Sequence, residues 1–88
     1  MPGPQALMMK LDLHARRVDE ALDDVARFLD EAVMSKESEV LIIHGHGTGR
    51  LKKAVRDYLS TSPYAVSFRS GYPWEGGEGA IVVTLQAS

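Results

Sequence analysis

The chain has 88 residues, 44% of them hydrophobic and 25% charged, and a formal net charge of −2 at pH 7. This length fits one domain with a modest core, and the hydrophobic share excludes a disordered chain. There is no cysteine, which excludes disulfide scaffolds, thiolate zinc sites and cysteine nucleophiles. No uninterrupted apolar run exceeds four residues, whereas a membrane helix needs about 20. With no secretory signal visible, we expect a cytoplasmic protein without membrane contact.

Charge is distributed unevenly along the chain. Residues 1–39 hold nine acidic and five basic side chains, whereas residues 40–72 hold five basic and one acidic. A basic segment beside an acidic one allows one face to bind a phosphate backbone while another repels it. Ordinary solvated faces are the alternative interpretation.

The first half of the chain predicts a strand, a helix and a second strand. Residues 1–6 are expected to be a linker or vector-derived, and residues 7–88 to form a single domain. Alternation of apolar residues over 7–14 predicts a half-buried strand. A helix is expected over 18–34, where the spacing of three and four predicts the buried stripe Val18, Leu22, Val25, Leu29, Ala32 and Val33. The strand at 39–44 contains a continuous apolar run, so both of its faces are expected to be covered.

The second half predicts a helix and two more strands. After a glycine-rich loop at 45–49, a helix is expected over 50–60, with Thr48 as its N-cap. Tyr64, Val66 and Phe68 alternate with smaller or polar residues, which predicts a third strand. A loop over 71–79 precedes a strand at 80–85 that is too apolar for a sheet edge. We therefore expect an α/β fold of order βαβαββ, with a mixed sheet in the order 1-2-4-3 and both helices on one face.

Three polar residues fall where the first two strands end. Parallel strands joined by a helix end at the same edge of the sheet, where ligands of open α/β folds bind. His14 ends the first strand, His44 ends the second, and Asp12 lies two residues before His14. We therefore expect these three to share one site. Each could instead be a structural residue that only makes a local hydrogen bond.

The glycine-rich loop and the residues around it predict a phosphate site. A loop of this kind before a helix can present main-chain amides to an anion, and basic side chains flank it. The phosphate-binding candidates are Arg16, Arg17, Gly45, His46, Gly47, Thr48, Gly49, Arg50, Lys52 and Lys53. The loop matches neither the Walker nor the dinucleotide pattern. Glycines that serve tight turns are the alternative.

Two further features are weaker. Tyr72 and Trp74 could stack on unpaired bases, or Trp74 could anchor its loop against the core. A fixed metal cage is poorly supported, because no His-x-x-x-His helix pair or carboxylate cluster is present. The metal ligands stay unknown. We expect no organic cofactor, and any divalent cation, magnesium or manganese, to arrive with phosphate.

Three segments together resemble the Smr (small MutS-related) domain. They are Leu-Asp-Leu-His at 11–14, His-Gly-His-Gly-Thr-Gly at 44–49 and Gly-Gly-Glu-Gly-Ala at 76–80. The likeness extends over about residues 7–86. The start of the first helix is similar to the version at the C-terminus of the recombination-suppressing bacterial MutS proteins. The resemblance implies a two-layer α/β sandwich. We also expect a domain excised from a longer protein, because the chain ends shortly after the fourth strand.

The resemblance also implies a function. Smr domains are endonucleases that nick DNA with little sequence preference, and some cleave RNA. It implies branched or nicked DNA as the target, collided ribosomes or RNA as the alternative target, and the ATPase portion of the same full-length protein as a partner. By position, Asp12, His14 and His44 match residues implicated in cleavage. Gly77, Gly79 and the glycines of 45–49 match substrate-facing turns.

Two residues depart from the usual pattern of the family. Ala15 stands where the family usually has glycine, so a positive φ there would strain the loop that holds Arg16. His46 stands where relatives often have lysine.

A non-catalytic module that docks on nucleic acid or ribosomes is the main rival to the endonuclease, and an enzyme acting on a small phosphate compound ranks last.

Overall fold

Two helices cover one face of a four-stranded sheet in the computed structural model, which describes residues 8–86. The expected linker at 1–6 and the start of the first strand at Leu7 lie outside the described residues. The elements are β1 (Met9–Asp12), α1 (Val18–Met34), β2 (Glu39–Ile43), α2 (Arg50–Thr61), β3 (Ala65–Ser70) and β4 (Ala80–Leu85). Two short 3₁₀ turns, Pro73–Glu75 and Gly77–Gly79, connect β3 to β4. Within 8–86, neither helix is long and apolar enough to span a membrane.

The sheet has the predicted order β1-β2-β4-β3. β1 pairs with β2 in parallel, and the register places Asp12 opposite Ile43. β4 pairs antiparallel with both β2 and β3. The apolar β4 therefore lies inside the sheet, and the ends of β1 and β2 lie side by side.

The main core lies between the helices and one face of the sheet. Val40 and Ile42 of β2 and Ile81 and Val83 of β4 pack there and are fully buried. The buried residues of α1 are Ala21, Val25, Phe28, Leu29 and Ala32. The predicted stripe omitted Ala21 and Phe28 and included Leu22 and Val33, which are only half-buried. The helix is thus rotated slightly from its predicted orientation.

A smaller apolar cluster covers the opposite face of the sheet. Side chains alternate along a strand, so Leu41 and Val82 point away from the helices. They are 4% and 1% exposed and pack with Ala80, Met8 and Ile43. Both faces of β2 are therefore covered, as its apolar run predicts.

Two predictions about the strands were wrong. β1 and β2 end at Asp12 and Ile43, so both histidines lie just beyond the strands, in the loops. A register shift between Ala65 and Ser67 breaks the alternation predicted for β3, because a bulge adds one residue to one strand. Val66 is consequently 64% exposed.

The N-cap of α2 is Gly49 instead of Thr48. Gly49 adopts a left-handed conformation with φ 88°, which glycine tolerates without steric strain. The Thr48 hydroxyl accepts only a long hydrogen bond, 3.4 Å, from the Arg50 amide. The first turn of α2 is therefore left without a side-chain cap.

Candidate active site

A pocket of about 560 Å³ opens where β1 and β2 end. Its walls are residues 14–19 after β1, residues 44–49 after β2, and the first turn of α2. All three histidines of the chain line it. Its charged lining residues are Arg16, Arg17, Arg50 and Lys52 on the basic side and Asp19 on the acidic side. The pocket is therefore a basic site with three imidazoles.

Asp12 does not line this pocket, although the sequence placed it in the same site as the histidines. Parallel pairing continues past the strand, and the Leu13 amide donates to the Ile43 carbonyl at 2.7 Å. The chain then turns, and the Asp12 carboxylate accepts a hydrogen bond of 2.8 Å from the His14 amide. Asp12 thus holds the main chain that carries His14.

His14 is exposed and lies against the loop after β2. Its Nδ1 atom is 3.6 Å from the point where a β carbon on Gly45 would lie. Gly45 has φ 85°, a conformation that favours glycine. The turn at Gly45 thus brings the loop that carries His44 against the His14 ring.

His44 is buried, with 5% of its surface exposed. Its Nδ1 lies 2.7 Å from the Gly45 carbonyl oxygen. Because a carbonyl can only accept, we assign the imidazole proton to Nδ1, which leaves a lone pair on Nε2. Nε2 is buried and has no partner within residues 8–86.

Burial lowers the pKa of His44, and the nearby positive charges of Lys52 and Arg56 lower it further. The hydrogen bond to Gly45 opposes this shift, but burial is the larger effect. A histidine has an ordinary pKa of about 6.5. His44 is therefore a neutral imidazole at neutral pH, with an unsatisfied acceptor.

The second glycine-rich segment supports the pocket from behind. The Gly79 carbonyl accepts hydrogen bonds from the His44 and Gly45 amides at 3.0 and 2.9 Å. A β carbon at Gly79 would lie 2.7 Å from Cε1 of His46, so a side chain there would displace that ring. Gly77 and Gly79 do not line the pocket, so in this structure their contacts are with the protein.

Most of the basic side chains at the pocket are engaged in ion pairs with acidic residues. Lys52 pairs with Glu78 at 2.6 Å, and this contact lowers the pKa of Glu78. Arg16 pairs with Asp24 at 2.9 Å, and Arg17 lies 3.7 Å from Asp19. Within 8–86, Arg50 has no ion pair.

Lys53, which the sequence grouped with Lys52, lies outside the pocket lining and pairs with Asp57 at 3.0 Å. The two lysines are successive residues of α2, so their side chains point in different directions. Only Lys52 faces the histidines.

Main-chain amides add to the positive character of the pocket. The amides of Gly47, Thr48 and Gly49 donate to no acceptor within residues 8–86. They precede α2, whose N-terminus carries partial positive charge. Such amides suit an anion such as phosphate.

The residues of the pocket do not form a metal cage. Within 8–86, no group of three or more histidine, aspartate or glutamate side chains is placed to hold an ion. Asp12, the nearest carboxylate before His14 in sequence, is engaged with the His14 amide. We therefore derive no step through a protein-bound metal.

Sequence reasoning missed a polar network behind the pocket. Arg56 Nη2 donates to Ser70 Oγ at 2.7 Å, and Ser70 Oγ donates to Glu78 Oε1 at 3.3 Å. Glu78 also holds Lys52, which is 26 positions away in the sequence. No local pattern reveals this network, because helix and loop meet only in the folded chain.

Comparison with known proteins identifies the family of this chain. The Smr domain family matches residues 11–86. The chain belongs to the Smr domain family. It is 49% identical over 84 residues to Endonuclease MutS2 of Anaeromyxobacter sp. (strain Fw109-5), covering 96% of this chain and 10% of that protein. This Smr domain therefore spans about a tenth of the length of the curated relatives it matches.

Solved Smr structures share the fold. The Smr domain of Thermus thermophilus MutS2 aligns with a TM-score of 0.87 and 38% identity, covering 90% of this chain and 99% of that one. YdaL of Escherichia coli, a stand-alone small MutS-related protein, aligns with a TM-score of 0.83 and 28% identity, covering 96% of this chain and 66% of that one. The two-layer arrangement expected from the resemblance is confirmed.

Proposed function

We propose that this Smr domain is an endonuclease that nicks DNA with little sequence preference. The observation that carries this function is the convergence of three histidines and four basic side chains on one pocket with unsatisfied loop amides. Contacts to the phosphate backbone carry no sequence information, so a site that binds there selects no sequence. The endonuclease names of its relatives support the reaction class.

The candidate site residues have distinct roles in this mechanism. Arg50, Lys52 and the amides of residues 47–49 bind the phosphate. His44, neutral because its pKa is depressed, accepts the proton of the attacking water at Nε2. His14, which is exposed on the neighbouring loop, protonates the leaving oxygen. Asp12 is a positioning residue that acts through the His14 main chain.

The DNA structure on which the domain acts follows from the larger protein to which its relatives belong. The relatives are MutS2 proteins about ten times as long as the matched segment. We place the domain beside a MutS-type ATPase that brings it to branched or recombination-intermediate DNA. A divalent cation, magnesium or manganese, would then enter with the DNA phosphates.

One observation favours a second candidate, a docking module without catalysis. His44 Nε2 is shielded from solvent, and the His44 imidazole already holds the Gly45 carbonyl. In such a module the histidines only shape the loop. The basic pocket would then bind DNA, RNA or a ribosome without cleaving it.

Nicking of supercoiled plasmid distinguishes the two candidates. The unchanged domain, His14→Gln and His44→Gln would be compared with magnesium, with manganese and with a chelator. For an endonuclease, we expect the unchanged domain to nick and both folded variants to lose activity. If all three proteins bind DNA and none nicks it, the domain is a docking module. Equal nicking by all three would exclude His14 and His44 as catalytic residues.

A further inference from the structure

The loop between β3 and β4 exposes two aromatic rings. Trp74 is 67% exposed and Tyr72 is 48% exposed. Their ring centroids are 4.9 Å apart, with the planes inclined by 32°. Large aromatic side chains contribute most to binding energy when a partner buries them. The exposed pair is therefore a candidate contact surface.

The pair is held in place from below. Glu75, 6% exposed, accepts hydrogen bonds from the Tyr72 amide at 2.7 Å and from Arg69 at 3.0 and 3.4 Å. The Arg69 guanidinium lies 4.1 Å from the centroid of the Tyr72 ring. Pro73 opens the short 3₁₀ turn that carries Trp74. A surface ordered before binding loses little conformational freedom when it is occupied.

The same loop adjoins the pocket without lining it. Glu78 contacts Lys52 at 2.6 Å, and Gly79 packs against His46. Trp74 and Glu78 are four positions apart in the chain, which limits the distance between their α carbons to about 14 Å. Stacked nucleotides advance about 3.4 Å each along one strand. A strand that follows this loop from Glu78, the partner of Lys52, therefore needs about four nucleotides to reach Trp74.

We propose that Trp74 and Tyr72 stack on an unpaired base of the strand whose backbone occupies the pocket, an inference that rests on the proposed function. Aromatic side chains stack on bases of any sequence because every base has a π face, which matches a site without sequence selection. Bases in an intact duplex are already stacked on each other, so the pair favours flaps, gaps and junctions.

The fluorescence of Trp74 tests this contact directly, because Trp74 is the only tryptophan in the chain. The domain would be titrated with single-stranded oligothymidylate, with an abasic strand of equal length and with a blunt duplex. We expect strong fluorescence quenching by the oligothymidylate alone. The abasic strand has the same phosphates, so equal quenching by it would overturn the stacking contact.

Affinity measurements on variants provide the second readout. Trp74→Ala should weaken single-strand binding by about 5- to 150-fold and leave duplex binding nearly unchanged, while Trp74→Phe retains most of the affinity. Val66→Ala is the matched control, because Val66 is 64% exposed and lies elsewhere. A Trp74→Ala domain that binds the single strand like the unchanged domain would contradict the proposal.

The two proposals fail differently. If Trp74→Ala has no effect while plasmid nicking still depends on His14 and His44, only the stacking contact is wrong. If the unchanged domain binds neither strand nor duplex, the proposed function is wrong and the stacking contact is excluded with it.

Discussion

The Asp12 carboxylate accepts a hydrogen bond from the His14 amide at 2.8 Å, at the point where β1 ends. This bond follows the last hydrogen bond to β2, which the Leu13 amide donates to the Ile43 carbonyl, and it holds the turn by which the next residues leave the sheet. An acidic residue here therefore acts on the histidine through the main chain, without a contact to the pocket.

The first prediction concerns that bond. Asp12→Asn should keep most of the nicking rate, because the amide oxygen accepts the same hydrogen bond. Asp12→Ala should lower kcat by about 10- to 100-fold, because misplacing a reacting group by about 1 Å has an effect of that size. Single-turnover nicking rates measure this. If Asp12→Asn is as inactive as Asp12→Ala, the charge itself is required and the positioning role is wrong.

The second prediction concerns Ala15, which has φ 65°. A left-handed conformation is unfavourable by roughly 1–2 kcal/mol for an L residue, and glycine removes that strain while adding freedom to the unfolded chain. We expect Ala15→Gly to raise the free energy of unfolding by up to about 1 kcal/mol, or Tm by about 4–8 °C. Thermal and urea unfolding measure the change.

Lys36 provides the matched control, since its φ is 60° and it lies in the turn between α1 and β2, away from the pocket. Lys36→Gly should stabilise the fold to a similar extent. Only Ala15→Gly should also change the nicking rate, because Ala15 lines the pocket. No stabilisation in either variant would contradict this account of backbone strain.

The third prediction separates two neighbouring lysines. Lys52→Gln should weaken DNA binding and reduce the slope of log K against log salt by about 1, the share of one phosphate contact. Lys53→Gln should change neither, because Lys53 lies outside the pocket lining. Binding titrations between about 50 and about 200 mM salt would measure both slopes. Equal losses in the two variants would show that the outer face of α2 also binds DNA.

The fourth prediction concerns the pKa of His44. NMR titration should place this pKa below the ordinary value of about 6.5, because the ring is buried and lies near positive charges. Lys52→Gln removes one of those charges and should move the His44 pKa upward. His14→Gln and His46→Gln assign the three histidine signals. A His44 pKa at or above the ordinary value would contradict the assignment of His44 as a neutral base.

The free energy of unfolding should depend on pH through the protonation of His44. Below about pH 6.5 the unfolded chain protonates this histidine, whereas the folded chain keeps it neutral until its lower pKa is reached. The unfolded state then binds more protons, so the free energy of unfolding falls as pH decreases through that range. Urea unfolding at several pH values should show a smaller decrease for His44→Gln.

Hydrophobic periodicity was sufficient to predict most of the fold. The stripe of α1 and the apolar runs of β2 and β4 depend on neighbours along the chain, so the element order and the inner position of β4 followed from the sequence. Val66 is one exception, because a bulge depends on how β3 pairs with β4. That pairing is decided by tertiary contacts.

The sequence by itself determined that His14 and His44 line one site, because parallel strands joined by a helix end at one edge of the sheet. Only the tertiary structure decided which polar groups face the pocket. Asp12 is excluded by its local turn, Lys53 by its direction on α2, and Lys52 is held by Glu78 from a distant loop. Side-chain direction and long-range ion pairs depend on how whole elements pack, and no spacing along the chain encodes them.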